Sequence, residues 1–448
     1  MFRYIVSALS QLHRGVLICG GFALFMVFGA LLLMLPFSTT GNAEVSFVDA
    51  LFMSVSVVSV TGMSMFDVRT DFTIFGQLVI LFLMQVGGLG IMTIMAMVGI
   101  STGRKIRLQE RLLIRDSFSL QTPSGMVMLV RKIIFMTLLV EFISGTLLAV
   151  YFYFKFGPMG IYLGYWHAVS AFTNCGLDIM GANAGFAKMA ADPFVSTVIV
   201  VTMFLGGVGF MAADDFLRHR SWSGLSLNSK LIFLMEAILI PLGTIIFYNL
   251  EGNNPETLGG LSTMEKWQSA VLMSVSSRLG GFAVFDIHSM LDQTVLLVMM
   301  FMFIGAAPVS TGGGIRTTTI GLLFLSLYAW IRGKKDVVIF HKHVDPDCLV
   351  KASNVFTLAV VITFITAFLV FVFEPMSFDF EDVMFEAVSA FSTVGFSMGL
   401  TGEWNTPCKI VLMIAMYIGR IGVMTLAITF ASHHSRQLKY PKENIIVG

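Results

Sequence analysis

Eight long apolar blocks and four short ones divide the chain. A helix that crosses a bilayer needs about 20 mostly apolar residues. Uncharged blocks of that size run from Gly15 to Pro36, Phe72 to Gly103, Pro193 to Ala213 and Ala352 to Phe373. Four more carry a single ionisable residue: Ile133–Phe154 with Glu141, Leu231–Leu250 with Glu236, Thr294–Ile331 with Arg316, and Ile410–Ser435 with Arg420. Between alternate pairs lie Ala50–Phe66, Phe156–Leu177, Trp267–Ser277 and Ala387–Gly402. Most of these are too short, or too rich in Gly, Ser and Thr, to span, and they read as re-entrant helices with loops. The order long, short, long occurs four times. It predicts an all-α membrane protein of four tandem helix–pore-loop–helix repeats, with eight transmembrane helices in a pseudo-fourfold arrangement around one pore.

The peptide ending each short piece supports that repeat. Val60-Thr61-Gly62, Asn174-Cys175-Gly176, Leu279-Gly280-Gly281 and Thr393-Val394-Gly395 stand at equivalent points, with their last glycines 114, 105 and 114 residues apart. The following helix repeats too, as Gly87-Gly88-Leu89-Gly90, Gly206-Gly207-Val208-Gly209, Gly305-Ala306-Ala307 and Gly419-Arg420-Ile421-Gly422. A fixed period of this length marks a repeated structural unit. A dehydrated alkali cation needs oxygen ligands in place of water. Backbone carbonyls supply them when the loop adopts dihedrals that turn successive oxygens inward, which glycine permits. The short helix before each loop aims its negative end at the centre. The four loop glycines therefore read as a selectivity filter that holds an alkali cation through backbone carbonyls. The Gly87, Gly206 and Gly419 group fits pore lining and close helix packing equally well.

Composition agrees with a bilayer. Of 448 residues 56% are hydrophobic and 12% charged, half the charge density of a soluble domain, about 25%. A net charge of +1 offers no field for nucleic acid. Cys19, Cys175, Cys348 and Cys408 are scattered and form neither a disulfide framework nor a zinc site. No paired Ser/His/Lys or Asp/Asp set lies at matching depth in the spans, which argues against an intramembrane enzyme. Of the 28 Lys and Arg, 20 fall in segments 1–14, 104–132, 214–230, 332–351 and 436–448, so the positive-inside rule puts both termini in the cytoplasm. The opposite face holds 17 of 27 Asp and Glu, an acidic vestibule that concentrates cations.

Ala50-Leu51-Phe52 leading to Val60-Thr61-Gly62, His167 to Phe172 leading to Asn174-Cys175-Gly176, Glu386 to Phe391 leading to Thr393-Val394-Gly395-Phe396, and Gly419-Arg420-Ile421-Gly422 together resemble the Trk/Ktr/HKT superfamily of potassium transporters. The chain is most similar to the membrane subunit of bacterial Ktr systems, over essentially its whole length. The resemblance implies K⁺ uptake with Na⁺ dependence, and carries the filter glycine onto Gly62, Gly176, Gly281 and Gly395. Gly62, where some plant relatives with Na⁺ preference have serine, implies K⁺. Cys175, Leu177, Met63 and Ser277-Arg278-Leu279-Gly280 depart from the usual pattern, leaving carbonyl coordination intact.

The last helix of the third repeat contains Gly305, Ala306, Pro308, Ser310, Thr311, Gly312, Gly313, Gly314 and Arg316. Proline and three consecutive glycines cannot sustain an ordinary helix, and broken backbone at membrane depth persists only inside protein or beside water. The segment reads as a loop in the pore below the filter, the alternative being a simple kink. The resemblance implies an intramembrane gating loop. A Walker loop is a poor fit, because no Gly-Lys-Ser/Thr follows. Arg316 and Arg420 are costly in apolar helices unless hydrated or paired. Arg420 is expected to face the cavity below the filter and moderate flux; a salt bridge between helices is the other reading. Glu141 and Glu236 read as partnered structural acids. His341 and His343, with Asp345 and Asp347, read as a solvated face.

This chain contains no nucleotide-binding motif and needs no cofactor of its own. The resemblance implies a homodimer with one pore per protomer, and a cytoplasmic ring of regulatory subunits carrying ATP or ADP. That ring would contact loops 104–132 and 332–351, the broken helix and the tail. Tyr440–Gly448, apolar at Ile445, Ile446 and Val447, would pack at the dimer interface. The expected units are 1–103, 104–228, 229–340, 341–430 and a tail at 431–448, in a bacterial inner membrane. An alternating-access carrier, or a less selective K⁺/Na⁺ transporter, is the rival reading.

Overall fold

The computed structural model describes residues 14–41, 44–101, 125–181, 185–334, 336–374 and 378–430, with 111, 112 and 115. The N-terminal segment 1–13, much of the 104–124 loop and the tail 431–448 lie outside the described residues, so the expected tail contact does too.

Among the described residues, four helices are long and apolar enough to cross a membrane: Gly15–Leu33, Met126–Phe156, Leu227–Glu251 and Pro346–Phe373. Their ends are set by local chemistry. Ser226 accepts the Ser229 amide and Asp345 that of Asp347, each satisfying a donor the helix leaves open. These helices bury less than half of their most apolar stretch. Phe135, Leu138 and Phe142 are more than half exposed; keeping such side chains in water costs about 1.5–3 kcal/mol each, a cost that lipid removes.

Short helices fill the interior. Phe47–Val58, Met159–Thr173, Thr263–Leu279 and Phe380–Ser392 overlap the four short pieces, the last of them only at residues 387–392. Every residue from Phe52 to Val58, from Leu272 to Leu279 and from Phe385 to Ser392 is buried. Ser46 caps the first, and Ser262 with Glu265 forms a capping box on the third.

The remaining long blocks are not straight. The sequence points to a break in the third block alone; the structure adds three. Ile74–Leu89 and Ile91–Ser101 meet at Gly90, and Pro193–Gly207 and Phe210–His219 at Gly209, each pair bent by 96°. Thr406–Ile421 gives way to Val423–Phe430 at Gly422. Gly90, Gly209 and Gly422 have φ of 81°, 89° and 88°, a region that side chains with a Cβ rarely enter. In the third block Asp292–Phe303 and Thr317–Ile331 are separated by a loop. A two-residue hairpin pairs Val338 with His343 and Ile339 with Lys342. His341 stands in its turn at φ 62°, and His343 meets Asp336 at 3.2 Å on an exposed surface.

Candidate functional site

Each short helix is closed onto its loop by a serine. The Ser56 carbonyl accepts from Thr61 N at 2.8 Å, Ser170 from Cys175 N at 3.0 Å, Ser276 from Gly281 N at 3.2 Å and Ser389 from Val394 N at 3.2 Å. Three of the hydroxyls bind the loop as well. Ser170 Oγ donates to the Leu177 carbonyl at 2.6 Å and Ser276 Oγ to that of Phe282 at 2.8 Å, while Ser389 Oγ accepts from Gly395 N at 3.1 Å. These serines escaped the sequence reading, although their recurrence five or six residues before each loop glycine was there to find.

The four loops meet in cyclic order. Gly62, Gly176, Gly281 and Gly395 all have positive φ, at 88°, 76°, 46° and 94°. A Cβ on Gly62 would be driven into the carbonyl oxygen of Cys175, on Gly176 into that of Gly280, on Gly281 into that of Val394, and on Gly395 into that of Thr61. Each partner is the residue before the next loop glycine, and the fourth contact returns to the first loop. Glycine is required here for two reasons, backbone conformation and the close approach of a neighbouring chain. Val60, Thr61, Asn174, Cys175, Leu279, Thr393 and Val394 are buried, while the glycines are only half-buried. Gly62 and Gly176 border a cavity of about 290 Å³ with Asp67 and Asp178.

One loop differs. Val60, Asn174 and Thr393, two residues before their glycines, adopt left-handed backbone at φ 60°, 61° and 53°. In the third loop the serine-to-glycine interval is one residue shorter, and Gly280 sits at φ −165° instead. The preceding Arg278 turns away and meets Glu236 through two hydrogen bonds of 3.0 and 2.8 Å. Glu236 is therefore the partnered acid the sequence points to. Glu141 accepts from Gln85 at 3.1 Å.

Gly87, Gly206 and Gly419 pack closely: a Cβ on each would strike the carbonyl of Val58, Phe172 or Phe391 in the last turn of a short helix. The Gly305 counterpart instead faces the Gly313 carbonyl, within its own broken segment. That segment is stitched to the neighbouring breaks. Ala307 N donates to the Gly207 carbonyl at 3.0 Å, Thr311 N to Gly206 at 3.2 Å, and Phe210 N to Val309 at 2.9 Å. Ser310 Oγ donates to Ala307 at 2.6 Å, and Arg316 to Gly312 at 2.7 Å. A Cβ on Gly312 would meet Ala306, on Gly313 the Thr393 hydroxyl, and on Gly314 the Ser392 carbonyl. Pro308 and Ser310 line a cavity of about 290 Å³ with Gly90, Arg316 and Arg420.

Arg420 has no acidic partner among the described residues. Its guanidinium donates to the carbonyls of Thr311 and Gly87, and to that of Gly88 at 3.0 Å. It therefore ties the loop to the first break through carbonyls, in place of the expected alternative of an interhelical salt bridge.

Residues 24–439 match the family model described as TrkH, cation transport protein. The chain belongs to the TrkH cation transport family. It is 35% identical to the Ktr system potassium uptake protein B of Bacillus subtilis, over 96% of this chain and 95% of that one. It is 32% identical to the potassium/sodium uptake protein NtpJ of Enterococcus hirae, over 96% of both chains. Its fold is similar to the crystal structure of the potassium transporter TrkH from Vibrio parahaemolyticus, with a TM-score of 0.73 and 16% identity, covering 95% of this chain and 86% of that one. Within this TrkH-family chain, the features illegible from sequence are those made by backbone: the loop-to-loop closure and the carbonyls that hold Arg420.

Proposed function

We propose that the chain is the pore subunit of a bacterial potassium uptake system. It would cross the inner membrane eight times, with both termini in the cytoplasm. K⁺ would pass through a filter of carbonyls from residues 60–62, 174–176, 279–281 and 393–395. The observation that carries this reading is the cyclic approach of the four loop glycines to the carbonyls of their neighbours. Ligands fixed by close backbone contact replace hydration water without having to reorganise. Names of relatives that specify potassium uptake support K⁺ as the cargo.

Below the filter, residues 305–316 act as the gate. Arg316 and Arg420 bring two positive charges to the adjoining cavity, which lowers cation occupancy there, and the Arg420 bond to Thr311 holds the loop in place. Opening requires that bond to break. Control passes to a cytoplasmic ring that binds ATP or ADP, Na⁺ acts as activator, and the chain works as a homodimer; the resemblance supports these three assignments. The units are 1–103, 104–228, 229–340 and 341–430, with a tail at 431–448.

Uptake of K⁺ and Na⁺ in a K⁺-transport-deficient strain tests the reading, comparing wild type with Gly281→Ser. A side chain at residue 281 collides with the Val394 carbonyl and disfavours φ 46°. Loss of K⁺ preference at normal membrane levels is expected; unchanged selectivity overturns the filter. The potassium/sodium name of the Enterococcus relative favours one second reading, a less selective K⁺/Na⁺ pore, which appears in the same assay as wild-type Na⁺ uptake.

A further inference from the structure

Three residues before the closing serines Ser56, Ser170, Ser276 and Ser389 stand Met53, His167, Met273 and Glu386. All four are buried. In two units the side chain at this position reaches the segment that leaves the loop, two residues past the glycine. Ser64 Oγ donates to Met53 Sδ at 3.5 Å. Ser397 Oγ donates to Glu386 Oε1 at 2.5 Å, and Met398 N donates to the same oxygen at 3.1 Å. The third unit has Ala283 two residues past its glycine. In the second, His167 Nδ1 bonds within its own helix to the Leu163 carbonyl at 2.7 Å. That unit has Asp178 two residues past its glycine, with no hydrogen bond to His167 among the described residues. Among those residues the fourth unit is the one whose helix position supplies a carboxyl group to this brace.

We propose that Glu386 is a positioning residue of the fourth loop, and that its brace to Ser397 and Met398 sets the K⁺ over Na⁺ preference of the pore. The inference rests on the filter reading above. Gly395 is flanked on both sides. Its amide is held by Ser389 Oγ, and the chain beyond it by Glu386 through Ser397 and Met398. The backbone is thereby anchored one peptide before and two residues after Gly395, which narrows the directions its carbonyl can take. One side-chain oxygen of Glu386 accepts from both Ser397 Oγ and Met398 N, and burial keeps water from replacing it. The third unit, one residue shorter, manages without such a brace. The thioether of Met53 in the first is a far weaker acceptor.

Four variants test this: Glu386→Gln, which keeps an acceptor oxygen; Glu386→Met, the residue used by the first and third units; Ser397→Ala; and the double variant Glu386→Met/Ser397→Ala. K⁺ uptake, with Na⁺ as competitor, is measured at known protein levels in the membrane. Glu386→Met is expected to raise the K⁺ KM about tenfold and strengthen Na⁺ competition, with a smaller change in Vmax. Glu386→Gln stays near wild type, Ser397→Ala shifts KM in the same direction, and the double variant is no worse than Glu386→Met alone. Ser397→Ala removes one hydroxyl and carries the test if Glu386→Met fails to accumulate. The proposal is overturned by an unchanged KM and Na⁺ competition, by a loss confined to Vmax, or by Glu386→Gln behaving like Glu386→Met. If Gly281→Ser alters selectivity while these variants do not, the brace fails and the filter stands. If Gly281→Ser also leaves selectivity unchanged, the filter reading fails as well.

Discussion

Asn174 and Thr311 touch through their side chains, 2.8 Å apart, although one belongs to the second loop of the ring and the other to the broken helix beneath it. Thr311 Oγ1 also lies 3.0 Å from the Phe172 carbonyl and 3.1 Å from that of Gly206. One hydroxyl thus joins the second loop, the short helix before it and the broken segment of the third repeat. Thr311→Val keeps the shape and removes these bonds, so the loop should leave this position about ten times more often. Rb⁺ efflux from liposomes containing the purified subunit measures this as a raised basal rate. An unchanged rate would show that the hydroxyl does not restrain the loop.

Arg420 should limit flux in two ways, by its charge and by its hold on Thr311. Arg420→Ala is expected to raise the K⁺ uptake Vmax by roughly tenfold, equivalent to about 1.4 kcal/mol off the barrier. Arg420→Lys should fall between, because one ammonium cannot span the carbonyls that the planar guanidinium reaches. Equal Vmax in all three proteins, at equal membrane levels, would remove Arg420 from gating.

The Glu236–Arg278 pair is buried on both sides. Removing one partner strands a charge, at a cost of about 3–5 kcal/mol, whereas replacing both with apolar residues costs far less. Glu236→Gln should lower the melting temperature in detergent, and Glu236→Leu with Arg278→Met should recover much of the loss. A double variant as unstable as the single one would mean that the pair's charge itself is needed.

Lys409 and Asp49 join at 2.7 Å near the N-terminal ends of their helices. Burial pushes the Asp49 carboxyl up, but hydrogen bonds from Lys409 and Ser46 more than offset this and hold it below its usual 3.8. A carboxyl lowered on folding stabilises the protein above its unfolded pKa, and that contribution fades as pH falls through the folded value. Melting temperature should therefore fall on acidification below about pH 4. Asp49→Asn should be less stable at neutral pH and should show a shallower fall. Parallel pH profiles for the two proteins would contradict this role.

Much of this was legible because apolar blocks and glycine spacing are written directly in the chain. The helices Leu227–Glu251 and Pro346–Phe373 extend the Leu231–Leu250 and Ala352–Phe373 blocks by a few residues, where Ser226 and Asp345 cap them. The bends at Gly90, Gly209 and Gly422 were hidden, since the glycine clusters that contain them fit close helix packing as readily as a break. The fate of Arg420 was hidden for another reason. Its acceptors are carbonyls, which every residue possesses, so no residue type marks them. Glu236 could be read as partnered, but naming Arg278 required knowing which helices adjoin. The shorter third loop emerges only when the serines, rather than the glycines, set the register.

Anomalous diffraction from crystals grown in Rb⁺ or Tl⁺ tests the central claim most directly. The account predicts an anomalous peak on the axis enclosed by Gly62, Gly176, Gly281 and Gly395, within coordination distance of their loop carbonyls. Occupied sites only elsewhere, with these four loops turned toward lipid, would contradict it.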